Sequence, residues 1–185
     1  MSLSTVPAAR QPETIIIMGV AGCGKTVIGR LLAGHLGYEF LDADDYHSPE
    51  NVAIMRQGIP LNDEQRRPWL DRLAGLIDAA IRDRRGIVLA CSALKHSYRR
   101  RLGVGTKVAG QPVVRLVHLD GDAALLRERL EQRTGHFMPA SLLASQCALL
   151  ERPTEDEEAI TVGIAPSPEI IVQRIISALG CPPQR

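Results

Sequence analysis

Aromatic side chains are scarce in this chain: two Phe, three Tyr and one Trp among 185 residues. That set is too small for the stacking platform with which proteins hold single-stranded nucleic acid. Charge of one sign is also missing. The net charge is +1 at pH 7, so nothing electrostatic draws the chain to nucleic acid or to an anionic membrane. The four cysteines, Cys23, Cys91, Cys147 and Cys181, include no C-x-x-C pair and no histidine set for zinc. They read as reduced thiols in a cytoplasmic protein. No apolar run approaches the ~20 residues of a membrane-spanning helix. Residues 1–13 lack the apolar stretch of a secretory signal, and Ser2 removes the myristoylation pattern. What remains is an ordinary globular composition, 45% apolar and 23% charged, with the length of one domain and room for a core without disulfides.

The stretch Gly19-Val20-Ala21-Gly22-Cys23-Gly24-Lys25-Thr26 fits G-x-x-x-x-G-K-[ST], a phosphate-binding loop. Its glycines let the backbone curl so that successive N–H groups face one anion, and the helix that follows adds its positive end. Lys25 can reach the β- and γ-phosphates of a nucleotide, and the Thr26 hydroxyl can ligate Mg²⁺. The context is the one the motif requires. Thr14 to Met18 is a short β-branched run, as a buried parallel strand should be. Ile28, Leu31, Leu32 and Leu36 then recur at helical spacing up to Gly37.

Further along, strand and helix signals alternate. A frayed lead-in over 1–13 precedes a strand over 14–19 and a helix to 36, and a strand then runs from Tyr38 into Asp42, Asp44 and Asp45. Ser48 caps a helix that opens on Pro49, and Asn62 or Asp63 caps a long one reaching about Arg84. Residues 86–92 read as a buried strand, 95–102 as a short basic helix, 103–112 as a loop and 113–120 as another strand. A helix capped by Asp122 runs to about Arg133, a break follows at 134–139, and a helix covers 140–150. The acid run 155–158 reads as a solvated turn, and 160–164 as a fifth strand before a final helix over 169–179. Strands alternating with helices imply a parallel sheet covered on both faces, with ligands at the edge where the strands end.

Several polar residues converge on that edge. Asp42 and Asp44 suit phosphoryl transfer to an alcohol, where one carboxylate readies the hydroxyl and another stands near Mg²⁺; a plain strand-ending turn is the competing reading. Ser92, Lys95, Tyr98 and Arg99 are either a donor-rich cluster for an anionic substrate or part of a surface basic helix, with Arg100 and Arg101 as bystanders. Arg129 and Arg133 lie one helical turn apart, before the break containing Gly135 and His136. They are either arginines of a lid closing over ATP or solvated partners of Glu128 and Glu131.

From the first strand onward the chain resembles the gluconokinases, small P-loop sugar-acid kinases related in fold to shikimate and adenylate kinases. The resemblance rests on Gly19–Thr26, Phe40 to Asp44, His47 with Asn51, and Gly58 to Asp63. It continues through Arg67 to Leu70, Cys91 to Lys95 with Tyr98 and Arg99, and Arg129-Leu130 with Arg133 and Gly135 to Met138. It implies an α/β P-loop fold: a five-stranded parallel sheet in the order 2-3-1-4-5, helices on both faces, a kinase domain over 14–180 and a small helical lid at about 129–150. The implied reaction is ATP-dependent phosphorylation of D-gluconate on its 6-hydroxyl. Gly19, Val20, Ala21, Gly22, Cys23, Gly24, Lys25 and Thr26 would hold the phosphates, and Thr26 with Asp42 would hold Mg²⁺. Asp44 would act on the 6-hydroxyl, and Arg129 and Arg133 would be lid arginines on ATP. The adenine would lie near Pro166. His47, Arg56, Ser92, Lys95, Tyr98, Arg99 and His136 would surround gluconate. A homodimer is a further implication of the family.

Two other classes fit the loop alone. Another small-metabolite kinase of this fold, shikimate-kinase-like, would differ only in its acceptor. A nucleotide switch or assembly ATPase fits less well. Neither Asn51 nor Asn62 begins the Asn-Lys-x-Asp motif that reads guanine, and the third strand ends in Cys91-Ser92 where an ATPase wants an acid.

Overall fold

The computed structural model describes residues 13–131 and 141–180. In chain order the elements are β1 (Thr14–Met18), α1 (Lys25–Leu36), β2 (Glu39–Asp42), α2 (Pro49–Arg56), α3 (Asp63–Arg82) and β3 (Ile87–Ala90). There follow α4 (His96–Arg101), β4 (Lys107–Val108), β5 (Gln111–Pro112), β6 (Val114–Asp120), α5 (Ala123–Glu131), α6 (Ser141–Leu149), β7 (Ile160–Gly163) and α7 (Pro168–Leu179). Strands β2-β3-β1-β6-β7 make one sheet, and every neighbouring pair in it is parallel. Counted by these five strands alone, the order is the 2-3-1-4-5 that the resemblance implies.

Strand β1 is central and buried throughout, and its alternation divides the core. Ile15 and Ile17 face one side, where they meet Ile28 and Leu32 of α1 and Ile171, Ile175 and Leu179 of α7. Ile16 and Met18 face the other, against Trp69, Leu70, Leu73 and Ile77 of α3 and Leu102 beyond α4. The period of two along a strand produces this split, and removing each such side chain from water contributes roughly 1.5–3 kcal/mol. A sheet apolar on both faces needs a helix layer on each.

Local signals set the helix starts. The Ser48 hydroxyl accepts the Asn51 N–H at 3.2 Å. Asn62 and Gln65 form a reciprocal capping box at α3, and Asp122 accepts the Ala124 N–H at 2.7 Å. Helix α1 differs: its N-cap Gly24 has φ 97° and no side chain caps it.

Two expectations are corrected. The stretch 103–112 is not all loop, since β4 and β5 pair as a hairpin around Ala109 and Gly110, both at positive φ. Two left-handed residues make the tight turn whose twist suits a hairpin; two-residue strands carry no readable period. The acid run is not uniformly solvated either, because Glu157 is 3% exposed.

Candidate active site

All five sheet strands end on one edge, and the first of them delivers the phosphate loop. Its opening glycine is required by close approach: a Cβ on Gly19 would lie 2.8 Å from both the Leu119 carbonyl and the Cys23 sulfur. The Gly19 N–H donates to the Ser92 carbonyl at 3.4 Å, tying the loop to the end of β3. Cys23 is buried at 1% exposure, so its sulfur packs the loop from beneath. The Lys25 ammonium donates to the carbonyls of Gly19 and Val20 at 3.0 and 3.1 Å, and so lies over the first turn of the loop. The Ala21 N–H donates to Gln146 Oε1 of α6 at 2.7 Å. No side chain caps α1, so the positive end of that helix opens onto the loop.

Asp42 closes β2 and links the phosphate loop to the turn beyond the strand. Its Oδ2 accepts from the Thr26 hydroxyl at 2.9 Å and its Oδ1 from the Asp44 N–H at 3.2 Å. The second bond caps the single 3₁₀ turn Ala43–Tyr46, which carries Asp44. Asp42 is thus a turn-former, as the competing reading has it, and it also stands beside Thr26. The turn is fastened from above by Trp69, whose indole N–H donates to the Ala43 carbonyl at 2.7 Å. Nearby, burial first of all pushes the Cys91 thiol up to about 12, and the charges of Asp44, Lys25 and Asp42 all act on it.

Lys95 and Tyr98 are held by a residue that the sequence marks only as a candidate helix cap and as part of the resemblance. Asp63, the first residue of α3, accepts from Lys95 Nζ on both oxygens at 2.8 Å and from the Tyr98 hydroxyl at 2.5 Å. The Lys95 bond, above all, holds the Asp63 carboxyl below its usual range. The same bond pushes Lys95 upward. Arg66, unmarked in the sequence, donates to the Tyr98 hydroxyl at 3.4 Å. His47 stacks on Trp69 with ring centroids 4.4 Å apart; burial, then the charge of Arg66, lowers its pKa to about 4. Asp63 and Arg66 line an open groove of about 770 Å³ that Ser145, Ala148 and Leu149 of α6 also line. Arg56 is the exposed last residue of α2, and Ser92 offers its carbonyl to the loop.

Arg99 does not join this group. It is fully buried, with Nε and Nη2 on the two oxygens of Glu157 at 2.6 and 2.8 Å. Its Nη1 reaches the carbonyls of Ala93, Leu94 and Glu151 at 3.1, 3.1 and 2.9 Å. Burial alone would push the Glu157 carboxyl up, but Arg99 and the Thr154 N–H outweigh it and hold it down. The expectation that Arg99 touches substrate is thereby corrected: every donor is engaged inside the protein.

On the other flank of the loop, a pocket of about 220 Å³ is lined by Gly22, Gly24, Val27, Arg129, Pro166 and Ile171, among others. Arg129 Nη2 donates to the Ile164 carbonyl at 2.8 Å. Arg129 and Pro166 thus line one pocket beside the phosphate loop. Arg133 and His136 lie outside the described residues, as does the break between α5 and α6. Three residues escaped sequence reasoning. Asp63 closes the Gly58 to Asp63 segment of the resemblance, which was its signal; Arg66 falls between that segment and Arg67 to Leu70, and nothing marked Gln146.

Among the described residues no group of three or more His, Cys, Asp or Glu could hold a metal ion. The Thr26 hydroxyl beside a single carboxylate fits Mg²⁺, which keeps several waters and is shared with nucleotide phosphates.

Comparison with known proteins agrees with this geometry. A family model described as an AAA domain matches residues 15–153. A probable gluconokinase of Rattus norvegicus is 41% identical over 182 residues, spanning 91% of this chain and 98% of the rat protein. The gluconokinase of Gluconobacter oxydans is 41% identical, with 90% of each chain covered. A crystal structure of a gluconokinase from Sinorhizobium meliloti superposes with a TM-score of 0.78 at 39% identity, covering 93% of this chain and 94% of that one. With a phosphate loop, the strand-end carboxylates and relatives matched over nearly its whole length, the chain belongs to the gluconokinase family of P-loop kinases.

Proposed function

We propose that this protein transfers the terminal phosphoryl group of ATP to the 6-hydroxyl of D-gluconate, giving 6-phospho-D-gluconate and ADP. Asp42 carries the reading: one carboxylate accepts both the Thr26 hydroxyl and the Asp44 N–H, joining the phosphate loop to the turn that bears the base. The N–H groups of Gly19 to Thr26 cradle the phosphate tail, and Lys25 leaves its carbonyl partners for the β- and γ-phosphates, where charge develops in the transition state. Thr26 and Asp42 hold Mg²⁺, which when bound neutralises phosphate charge. Asp44 orients the 6-hydroxyl and accepts its proton as the new P–O bond forms. Arg129 and Pro166 flank the nucleoside, and Arg133 adds charge from the lid.

Lys95, Tyr98, Arg66 and His47 form the acceptor wall, with Arg56, Ser92 and His136 completing it. Cations and hydroxyls suit a carboxylate-bearing polyol. A cytoplasmic setting belongs to the same reading and suits the free buried thiols of Cys23 and Cys91. A coupled ADP-release assay against gluconate, shikimate, glycerate and nucleoside monophosphates tests the proposal. Turnover should depend on gluconate; equal rates with shikimate or glycerate would move the acceptor elsewhere.

A further inference from the structure

Gln146 of α6 reaches the phosphate loop through the 2.7 Å contact of its Oε1 with the Ala21 N–H. The contact sits at the far end of the phosphate tail. The Val20–Ala21 peptide carries the Lys25 ammonium on its carbonyl at 3.1 Å and Gln146 on its N–H, and the lysine of such a loop serves the β- and γ-phosphates. The nucleoside-sized pocket adjoins Gly22, Cys23 and Gly24 instead. Nor is α6 a loose arm. Just past its end, the Glu151 N–H donates to the Leu94 carbonyl at 2.9 Å, Glu151 Oε2 accepts the His96 N–H at 2.6 Å, and buried Arg99 holds the Glu151 carbonyl. An amide oxygen delivered by an anchored helix onto a phosphate-binding N–H occupies the place of a phosphate oxygen.

We propose that Gln146 is a specificity residue for the length of the nucleotide's phosphate tail: its Oε1 keeps the Ala21 N–H until a terminal phosphate oxygen takes it. A diphosphate leaves the contact intact, whereas a triphosphate displaces it. The same helix presents Ser145, Ala148 and Leu149 to the proposed acceptor groove, so the group that registers the terminal phosphate stands on the wall of the acceptor site. The inference rests on the loop being the phosphate site of the proposed kinase.

Calorimetric titration of the whole protein with Mg²⁺ and either ADP or AMP-PNP, a non-hydrolysable triphosphate, tests it without turnover. Gln146→Met keeps the length of the side chain and removes the acceptor. The Ala21 N–H then lacks its protein partner, and AMP-PNP should bind about three- to tenfold tighter, the scale of one hydrogen bond, while ADP stays within about twofold. Gln146→Glu keeps the acceptor and adds charge; it should weaken AMP-PNP more than ADP. Unfolding temperatures of the nucleotide-free variants check that both fold. Equal shifts for the two nucleotides, or weaker AMP-PNP binding in Gln146→Met, would overturn the proposal. Wild-type protein that bound neither nucleotide would overturn the phosphate-site reading instead.

Discussion

Lys95 and Arg99 stand one helical turn apart at the head of α4, each cation on a carboxylate, and their circumstances are opposite. In the Arg99–Glu157 pair both side chains are 0% exposed, and the five donor contacts of the guanidinium all end inside the protein. In the Lys95–Asp63 pair the side chains are 22% and 62% exposed, and Asp63 lines an open groove. A closed pair persists because either charge, left alone, would be stranded away from water. An open pair is weak and exchangeable, so an incoming anion can compete with Asp63 for the lysine. Two basic residues from a single run of sequence thus part into a structural rivet and an open, exchangeable pair. What separates them is how many donors are already satisfied.

The sharpest way to break this contrast is Glu157→Gln. It strands Arg99 in the interior at a cost of about 3–5 kcal/mol. In a chain of this size that lowers the unfolding temperature by roughly 6–20 °C, read by scanning calorimetry. An unfolding temperature within about 2 °C of wild type would mean that the buried pair is not the rivet the geometry describes. The converse variant, Lys95→Ala, removes an exposed pair and should shift unfolding by no more than about 2 °C. Its effect belongs to the acceptor: KM for gluconate should rise about tenfold or more, as for a lost charge-assisted hydrogen bond, with KM for ATP unchanged. A large thermal loss in Lys95→Ala would erase the distinction between the two pairs.

The same contrast explains what could be read in advance. The phosphate loop was legible because its chemistry is backbone chemistry over eight adjacent residues, with glycines where the chain must curl. The caps Ser48, Asn62 and Asp122 were legible for a similar reason, as each acts on N–H groups two or three residues away. The fate of Arg99 was not, since its carboxylate partner lies 58 positions distant in an acid run that reads as solvent-facing. Asp63 meets Tyr98 across 35 positions, and Gln146 meets Ala21 across 125. Such pairs exist only once the sheet has brought their elements together. The order of the five strands came from resemblance, and the crossovers that realise it carry no local signature.

His47, a residue of the proposed acceptor wall, solves the problem of burial in another way. His47 lies flat on Trp69 at an interplanar angle of 11°, and its Nδ1 is buried without a hydrogen-bond partner among the described residues. Arg99 cannot lose its charge and therefore needs Glu157; His47 can, and burial, reinforced by Arg66, takes its pKa from 6.5 to about 4. Between those two values the unfolded chain binds a proton at this position that the folded protein refuses. Stability contributed by the neutral ring is therefore complete above 6.5 and is lost as pH falls toward about 4. Carboxylates titrate in the same window, so the informative quantity is the difference between wild type and His47→Phe, which keeps the stacking on Trp69 and cannot titrate. Urea unfolding across that window should give a steeper fall of stability with acidity for wild type than for the variant. Parallel curves would mean that the ring carries its proton in the folded protein, and the acceptor wall would then hold a third cation in place of a neutral hydrogen-bonding ring.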